Sequence, residues 1–430
     1  MFELNFKIKD SGSIYGVQDS LIPYLIANLV KSDNVFYIAK NDIELSEIYN
    51  FFLSNFPSIR TYYIPSWDCL PYDVSSPNLK IISDRVKSFT DLSLNKRPLN
   101  GNLFLTTING LLIKTAPKKF YTSNYLKITN PSLNSFKFIN NFLINIGYNR
   151  VQTVREFGEF SIRGSILDVF PVGYDCAFRI DFLGEEIETI KVMDPLTQRS
   201  SNIIETMNIY PPNEYLLNDQ NIENFRKVFR SINGAKSINN PLYEKITSRM
   251  SFQGIEHFLP LFHDTELNSI FDYLPINASL KIVLTKNFNK IVEERINEIS
   301  NFYETRKIEK SENSIIKIED LYLSQNHLNQ ILENLNIIYL HDFDSVNQDD
   351  EKIYDLKSKP LILSKYVLSE DTNKINEFIK FCIKEYLDGK NISIITEDLS
   401  RLKNLISFFE IELKKNKILF STVEVKDLVN

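Results

Sequence analysis

Between Glu156 and Met193 the chain alternates apolar and polar residues in short runs. A period of two is what half-buried β-strands require, with one face in a core and one in water. The stretch reads E-F-G-E-F-S-I-R-G-S-I-L-D-V-F-P-V-G-Y-D-C-A-F-R-I-D-F-L-G-E-E-I-E-T-I-K-V-M. Phe160 and Ile162 share a face, as do Phe178, Ile180 and Phe182; Arg163 and Arg179 fall on the opposite one. Pro171, Gly173 and Asp175 break the runs where the chain must reverse. Strands are expected near 157–170, 177–183 and 186–193, forming an antiparallel sheet with an aromatic inner face. Its wetted face is where a partner could be met. A reversal over 172–175 would also set Arg179 opposite Asp168, so a plain cross-strand ion pair is a second reading of that arginine.

The rest of the chain surrounds this sheet with a different pattern. Residues 1–120 alternate helix and short apolar strand: a helical run from Ser20 to Val30, a strand Val35–Ala39, a helix Asp42–Leu53, and strands Thr61–Ile64 and Leu103–Thr107. That order implies a parallel α/β layer. Its opening strand–loop–helix is where a nucleotide-binding fold carries its phosphate loop, and here it reads D-S-G-S-I-Y-G-V-Q-D-S. Two glycines are present, but the lysine and the magnesium-binding hydroxyl of G-K-[ST] are not. The pair Gly389–Lys390 runs into Asn391 and has no upstream glycine. Ile64 to Asp73, I-P-S-W-D-C-L-P-Y-D, reads as a buried Trp-Pro corner, followed by a helix for which Ser76 is the expected cap and Pro77 the first turn. A Lys-rich edge near 115–130 and the Pro211–Pro212 pair bracket the sheet region, with a helix over Phe136–Ile146 packing on it. Helical spacing returns at Ile222–Phe229 and Phe288–Tyr303 around F-Q-G-I-E-H-F-L-P-L-F. The acidic segment 342–358 reads as a linker. A last α/β pattern follows: Pro360–Ser364, a helix Asn373–Tyr386, Ile392–Thr396, a helix Leu399–Leu413 and Lys417–Ser421. It stops without a closing helix, so the chain is expected to end inside this domain.

The expected organisation is thus multidomain α/β: 1–120 and 213–340 as two parts of one domain, 121–212 inserted between them, and 341–430 as linker plus a further α/β domain. A length of 430 residues suits several domains. The 49 basic and 55 acidic residues leave a net charge of −6, which argues against a chain that wraps nucleic acid with its whole surface. Weak, nonspecific DNA binding is the most expected. Three separated cysteines and four histidines without ligand spacing imply a reducing compartment, no disulfide framework and no metal site. His257 beside Glu256 is a tempting acid–base pair, but neighbours along a helix point apart. No apolar run approaches the roughly 20 residues of a membrane span, and M-F-E-L-N-F-K-I-K-D is no signal peptide. A cytoplasmic protein with no membrane partner is expected.

The residues also carry a resemblance. R-G-x-x-L-D-V-F-P followed by F-R-I-D-F-L-G-E-E-I-E resembles the small second domain shared by the excinuclease B subunit and the transcription-repair-coupling factors. W-x-x-L-P-Y-D-x-x-S-P with I-I-S-x-R resembles the coupling factors specifically, and G-I-E-x-F is similar to an element of both families. Tyr72–Asp73 run straight into a helix, leaving no room for the damage-clamping hairpin of the excinuclease subunit. The resemblance covers the whole chain, most specifically 61–92, 147–199 and 252–262. It implies a degenerate helicase-like α/β domain with an inserted domain that binds UvrA, the damage sensor of nucleotide excision repair. It implies that Arg163, Arg179 and Leu183 contact UvrA, although Leu183 stands where the family usually has an aromatic. RNA polymerase and double-stranded DNA are implied partners of parts of the full-length protein outside this chain, as are ATP and magnesium in its translocase motor. In the intact family protein the same UvrA surface is implied to be masked until a stalled polymerase is engaged. No catalytic residue and no cofactor are expected here. The alternative is an excinuclease-B-like ATPase acting on damaged DNA.

Overall fold

Two sheets of opposite character organise the chain. The computed structural model describes residues 11–94, 101–131, 134–234, 237, 240–276, 279–309, 316–342, 353–356 and 372–389. The first strands in chain order are β1 (Gly12–Tyr15), β2 (Asn34–Ala39), β3 (Arg60–Ile64), β4 (Asn102–Thr107), β5 (Leu126–Thr129), β6 (Asn149–Arg150) and β7 (Glu159–Arg163). Then come β8 (Ile166–Phe170), β9 (Ala177–Leu183), β10 (Glu186–Met193), β11 (Ser200–Ile204), β12 (Thr206–Ile209), β13 (Leu280–Leu284), β14 (Asn336–Leu340) and β15 (Ile353–Asp355).

The first sheet is parallel throughout, with the order β15-β1-β14-β13-β2-β4-β3. Every residue of β2, β4 and β13 is buried, as a parallel sheet covered by helices on both faces demands. Along β2 the side chains alternate between two cores. Val35, Tyr37 and Ala39 meet α1 (Ile22–Val30) and α2 (Asp42–Asn55), while Phe36 and Ile38 share a core with α3 (Leu79–Leu94). Asn41 starts α2 by accepting from the Glu44 amide at 2.9 Å, the usual N-cap arrangement.

The second sheet has the order β11-β10-β9-β8-β7-β6, antiparallel except for the short β6–β7 pairing. The helix Phe136–Asn145 closes its inner face, placing Ile139 and Leu143 against Phe160, Phe178, Ile180 and Ile190. Two-stranded β5–β12 lies where the chain enters and leaves this unit.

Several expectations change in detail. The run expected as one strand near 157–170 is two, β7 and β8, because Gly164 at φ +62° turns the chain back in the left-handed region where glycine is unstrained. Ser76 does not cap α3: its hydroxyl donates to Glu256 at 2.6 Å and accepts from the Gly254 amide at 2.9 Å. Asn78 takes that place, accepting from the Lys80 amide at 2.8 Å. Within the acidic segment expected as a linker, Ile353–Asp355 pairs in parallel with β1, since its short apolar run completes an otherwise open edge. The expected helix near 373–386 forms as Thr372–Leu387. The elements expected at 360–364, 392–396, 399–413 and 417–421 lie outside the described residues. No helix among the described residues is long and apolar enough to cross a membrane.

Candidate functional site

The exposed face of the second sheet is built by alternation along β9. Phe178, Ile180 and Phe182 enter the core, so Ala177, Arg179, Asp181 and Leu183 share the other face. The pairing register then lays out rows across the strands: Ile203, Lys191, Arg179, Asp168 and Ser161 in one, and Thr189, Asp181, Ile166 and Arg163 in the next. Below them Val154, Phe170, Ala177 and Met193 form a small separate core under the 151–157 loop.

The three expected site residues do not sit in equivalent surroundings. Leu183 is 75% exposed at the β9–β10 turn. Arg163 ends β7, exposed, with one guanidinium nitrogen on the Gln152 carbonyl at 2.8 Å. The Phe182 amide donates to the Ser165 carbonyl at 2.9 Å, which draws the two turns and these two residues to one end of the sheet. Arg179 lies midway along the face and is held by Asp168, with Nε–Oδ1 at 2.7 Å and Nη2–Oδ2 at 2.9 Å. Its further contacts are the Ser200 hydroxyl at 3.4 Å and the Met193 sulfur at 3.3 Å. The bonds it donates to the Asp168 carboxylate hold the guanidinium above its already high ordinary pKa, so it is a permanent cation. The cross-strand pair read from the sequence is therefore present, and it is bidentate. Beside it, Lys191 reaches Asp181 at 2.7 Å. Burial pushes the Asp181 carboxyl up, but bonds from Lys191 and Thr189 outweigh it and hold the group below its usual range.

The opposite end of this sheet is tied to α3. The Gly173 amide donates to Ser83 Oγ at 2.8 Å, Lys80 pairs with Asp175 at 2.8 Å, and the Tyr210 hydroxyl meets Asp91 at 3.1 Å. Gly173 sits at φ +85°, and a Cβ there would lie 2.9 Å from the Lys87 side chain. Clamped at the 171–176 turn, the sheet presents Arg163 and Leu183 at its far end.

The other candidates resolve into structure. Trp67 is buried, edge-on to His257 with ring centres 5.5 Å apart. The Cys69 sulfur lies 3.9 Å from His257, but burial pushes its thiol up to about 12, so it stays protonated and is no nucleophile. Burial likewise raises the Glu256 carboxyl, which accepts from Ser76. Among the described residues no cluster of three or more His, Cys, Asp or Glu could hold a metal ion.

At the phosphate-loop position, β1 leads through Gly16–Gln18 into Asp19 and α1. The Asp19 carboxylate is met by Lys286 at 2.8 Å, after β13, and by Lys40 at 3.4 Å, after β2. The hydrogen bond from Lys286 holds it below its ordinary pKa. An acid therefore stands at the helix start where a triphosphate would need donors.

An antiparallel sheet carried beside a parallel α/β layer defines a UvrB-like module. Residues 130–215 match the family model of the UvrB interaction domain. Across the wider chain, the transcription-repair-coupling factor of Rickettsia bellii is 34% identical over 269 residues, 63% of this chain and 23% of that protein. That of Rickettsia prowazekii is 32% identical over 334 residues, 74% of this chain and 28% of the relative. That of Escherichia coli is 30% identical over 228 residues, 53% and 20%. The chain carries the UvrB-like N-terminal module of the transcription-repair-coupling factors. It spans about a quarter of the length of these curated relatives.

Proposed function

We propose that this chain is a recruitment module whose inserted domain, residues 121–212 between the two parts 1–120 and 213–340, binds UvrA through Arg163, Arg179 and Leu183. The observation that carries the reading is the exposed pair Arg163 and Leu183 at the free end of a sheet clamped at its other end, inside the region matched by the UvrB interaction domain. A permanently charged planar fork suits a carboxylate on a partner, and an exposed apolar side chain beside it suits a buried anchor. In this reading RNA polymerase, double-stranded DNA and ATP-driven translocation belong to the full-length protein, whose motor masks the UvrA surface until a polymerase stalls.

Truncating a desolvated, paired arginine in an interface costs roughly 2–5 kcal/mol. Arg163→Ala is therefore expected to weaken UvrA binding by at least about tenfold by calorimetric titration, with an unchanged melting temperature because the side chain is exposed. Leu183→Phe is expected to hold or strengthen binding, restoring the aromatic of the family. Retention of wild-type affinity by both Arg163→Ala and Leu183→Ala would end this reading.

The alternative, an excinuclease-B-like ATPase, needs a triphosphate site at the β1–α1 connection. Asp19 between Lys40 and Lys286 opposes it, since a carboxylate there repels the phosphates and occupies the nearby cations. The chain is expected to show no ATP turnover above background, with or without duplex DNA. Saturable, magnesium-dependent binding of a fluorescent ATP analogue would favour the alternative.

A further inference from the structure

The turn joining β10 to β11 displays Leu196, 88% exposed, on an unusually fixed support. Asp194 Oδ1 accepts from the Leu196 amide at 2.9 Å, the Thr197 amide at 2.7 Å and the Thr197 hydroxyl at 3.0 Å. The Gln198 side chain donates to the Val154 carbonyl at 2.8 Å and the Pro195 carbonyl at 2.7 Å. Gln198 itself holds φ +59°, a left-handed conformation costly for a residue with a Cβ. A single exposed leucine is ordinary. A leucine held out by a turn with this many internal bonds is pre-organised, so little freedom is left to lose on binding.

The turn's position connects it to the site. Its two flanking residues, Met193 and Ser200, are the ones that touch the Arg179 guanidinium besides Asp168. Ile203 on the edge strand β11 is 65% exposed and stands in the same cross-strand row as Lys191 and Arg179. Arg199, also exposed, adds a cation to the same hairpin. Arg163 thus has Leu183 at one end of the face, while Arg179 has Leu196 and Ile203 toward the other. The seven residues of β9 separate the ends by about 20 Å at ~3.4 Å per residue. That span suits a standard interface patch of roughly 800 Å² per partner.

We propose that the β10–β11 hairpin forms the second half of the docking surface, with Leu196 and Ile203 as its apolar anchors beside Arg179. The proposal rests on the recruitment reading above and extends it across the sheet. The partner surface that fits bears carboxylates for Arg163, Arg179 and Arg199, with apolar depressions between them that take the leucines.

The test titrates the whole chain with purified UvrA. Leu196→Asp is expected to weaken binding roughly tenfold or more, with melting unchanged to within about 2 °C. Its effect should multiply with that of Leu183→Ala, because the two residues lie at opposite ends of the face. If Leu196→Asp lowers the melting temperature, Leu196→Ala replaces it with the same expectation of weakened binding. Wild-type affinity of the Leu196 variants, with Arg163→Ala defective, overturns the hairpin anchor and leaves the recruitment reading standing. Wild-type affinity of all of them overturns both.

Discussion

Arg85→Ala is expected to lower the melting temperature by roughly 10 °C, from a loss of about 3–5 kcal/mol for breaking a buried ion pair. Arg85, on α3, is wholly buried. Its Nε donates to Glu214 Oε1 at 2.6 Å, Nη2 to Oε2 at 3.4 Å, and Nη1 to the Pro65 carbonyl at 2.9 Å. The guanidinium also lies over Phe89 at 5.3 Å and Trp67 at 5.9 Å. Glu214 accepts a further bond from Thr115 Oγ1 at 2.8 Å, which commits the threonine proton and leaves the Tyr121 hydroxyl to donate to Thr115 at 2.6 Å. Removing the arginine strands the Glu214 carboxylate in this interior and breaks a network that joins α3, the Pro65–Trp67 corner, Thr115 and the segment that follows β12. The double variant Arg85→Met/Glu214→Leu should melt well above either single variant, because no charge is then left unpaired. Differential scanning calorimetry decides. Melting of Arg85→Ala within about 2 °C of wild type would mean that water relaxes around Glu214 and that the network carries little.

Arg179→Ala is expected to have two effects where Arg163→Ala has one. The Asp168 side chain is 2% exposed and that of Arg179 21%. The alanine leaves a buried carboxylate with its bidentate partner gone, at about 2–4 kcal/mol, the upper part of the buried-pair range being reduced by the partial exposure of the arginine. Several degrees of melting temperature should go with it. UvrA affinity should fall as well, since the same cation faces the proposed partner. Asp168→Asn separates the contributions: it keeps Arg179 charged and partly bonded, so binding should survive better than stability. If Arg179→Ala melts lower but binds UvrA at full affinity, the pair is purely structural, and the docking surface contracts to the Arg163–Leu183 end and the hairpin.

The two arginines show how far side-chain alternation can be read. Period two assigned Arg163 and Arg179 to the face opposite Phe160 and Phe178, and the strand register agrees. Alternation is a local property of extended backbone, so a single chain segment suffices to state it. What it leaves open is the depth of each residue on that face. Arg179 sits against Asp168 and the rim of a small second core, whereas Arg163 sits at a strand end in water, a difference set by the 151–157 loop folding over part of the sheet. The boundaries failed for similar reasons. Ser76 has the chemistry of an N-cap, but Glu256 and Gly254, about 180 residues away in sequence, take its hydroxyl, and Asn78 starts the helix instead. Leu196 gave no signal at all, because an exposed leucine in a polar turn looks like any other until the turn's bonds to Val154 and its contact with the Arg179 neighbourhood are known.

By itself the sequence determined the two kinds of sheet, the faces of β7 and β9, the lack of a G-K-[ST] loop and the resemblance to a coupling-factor module, all of them written in residue types at short spacing. Only the tertiary structure decided that Arg179 is paired while Arg163 is exposed, that Asp19 meets Lys40 and Lys286, and that the interaction sheet is clamped at one end on α3. Burial and ion pairing depend on which distant segments arrive beside a residue. The strength of a charge–charge contact is set by the water those segments exclude, and no local pattern encodes that.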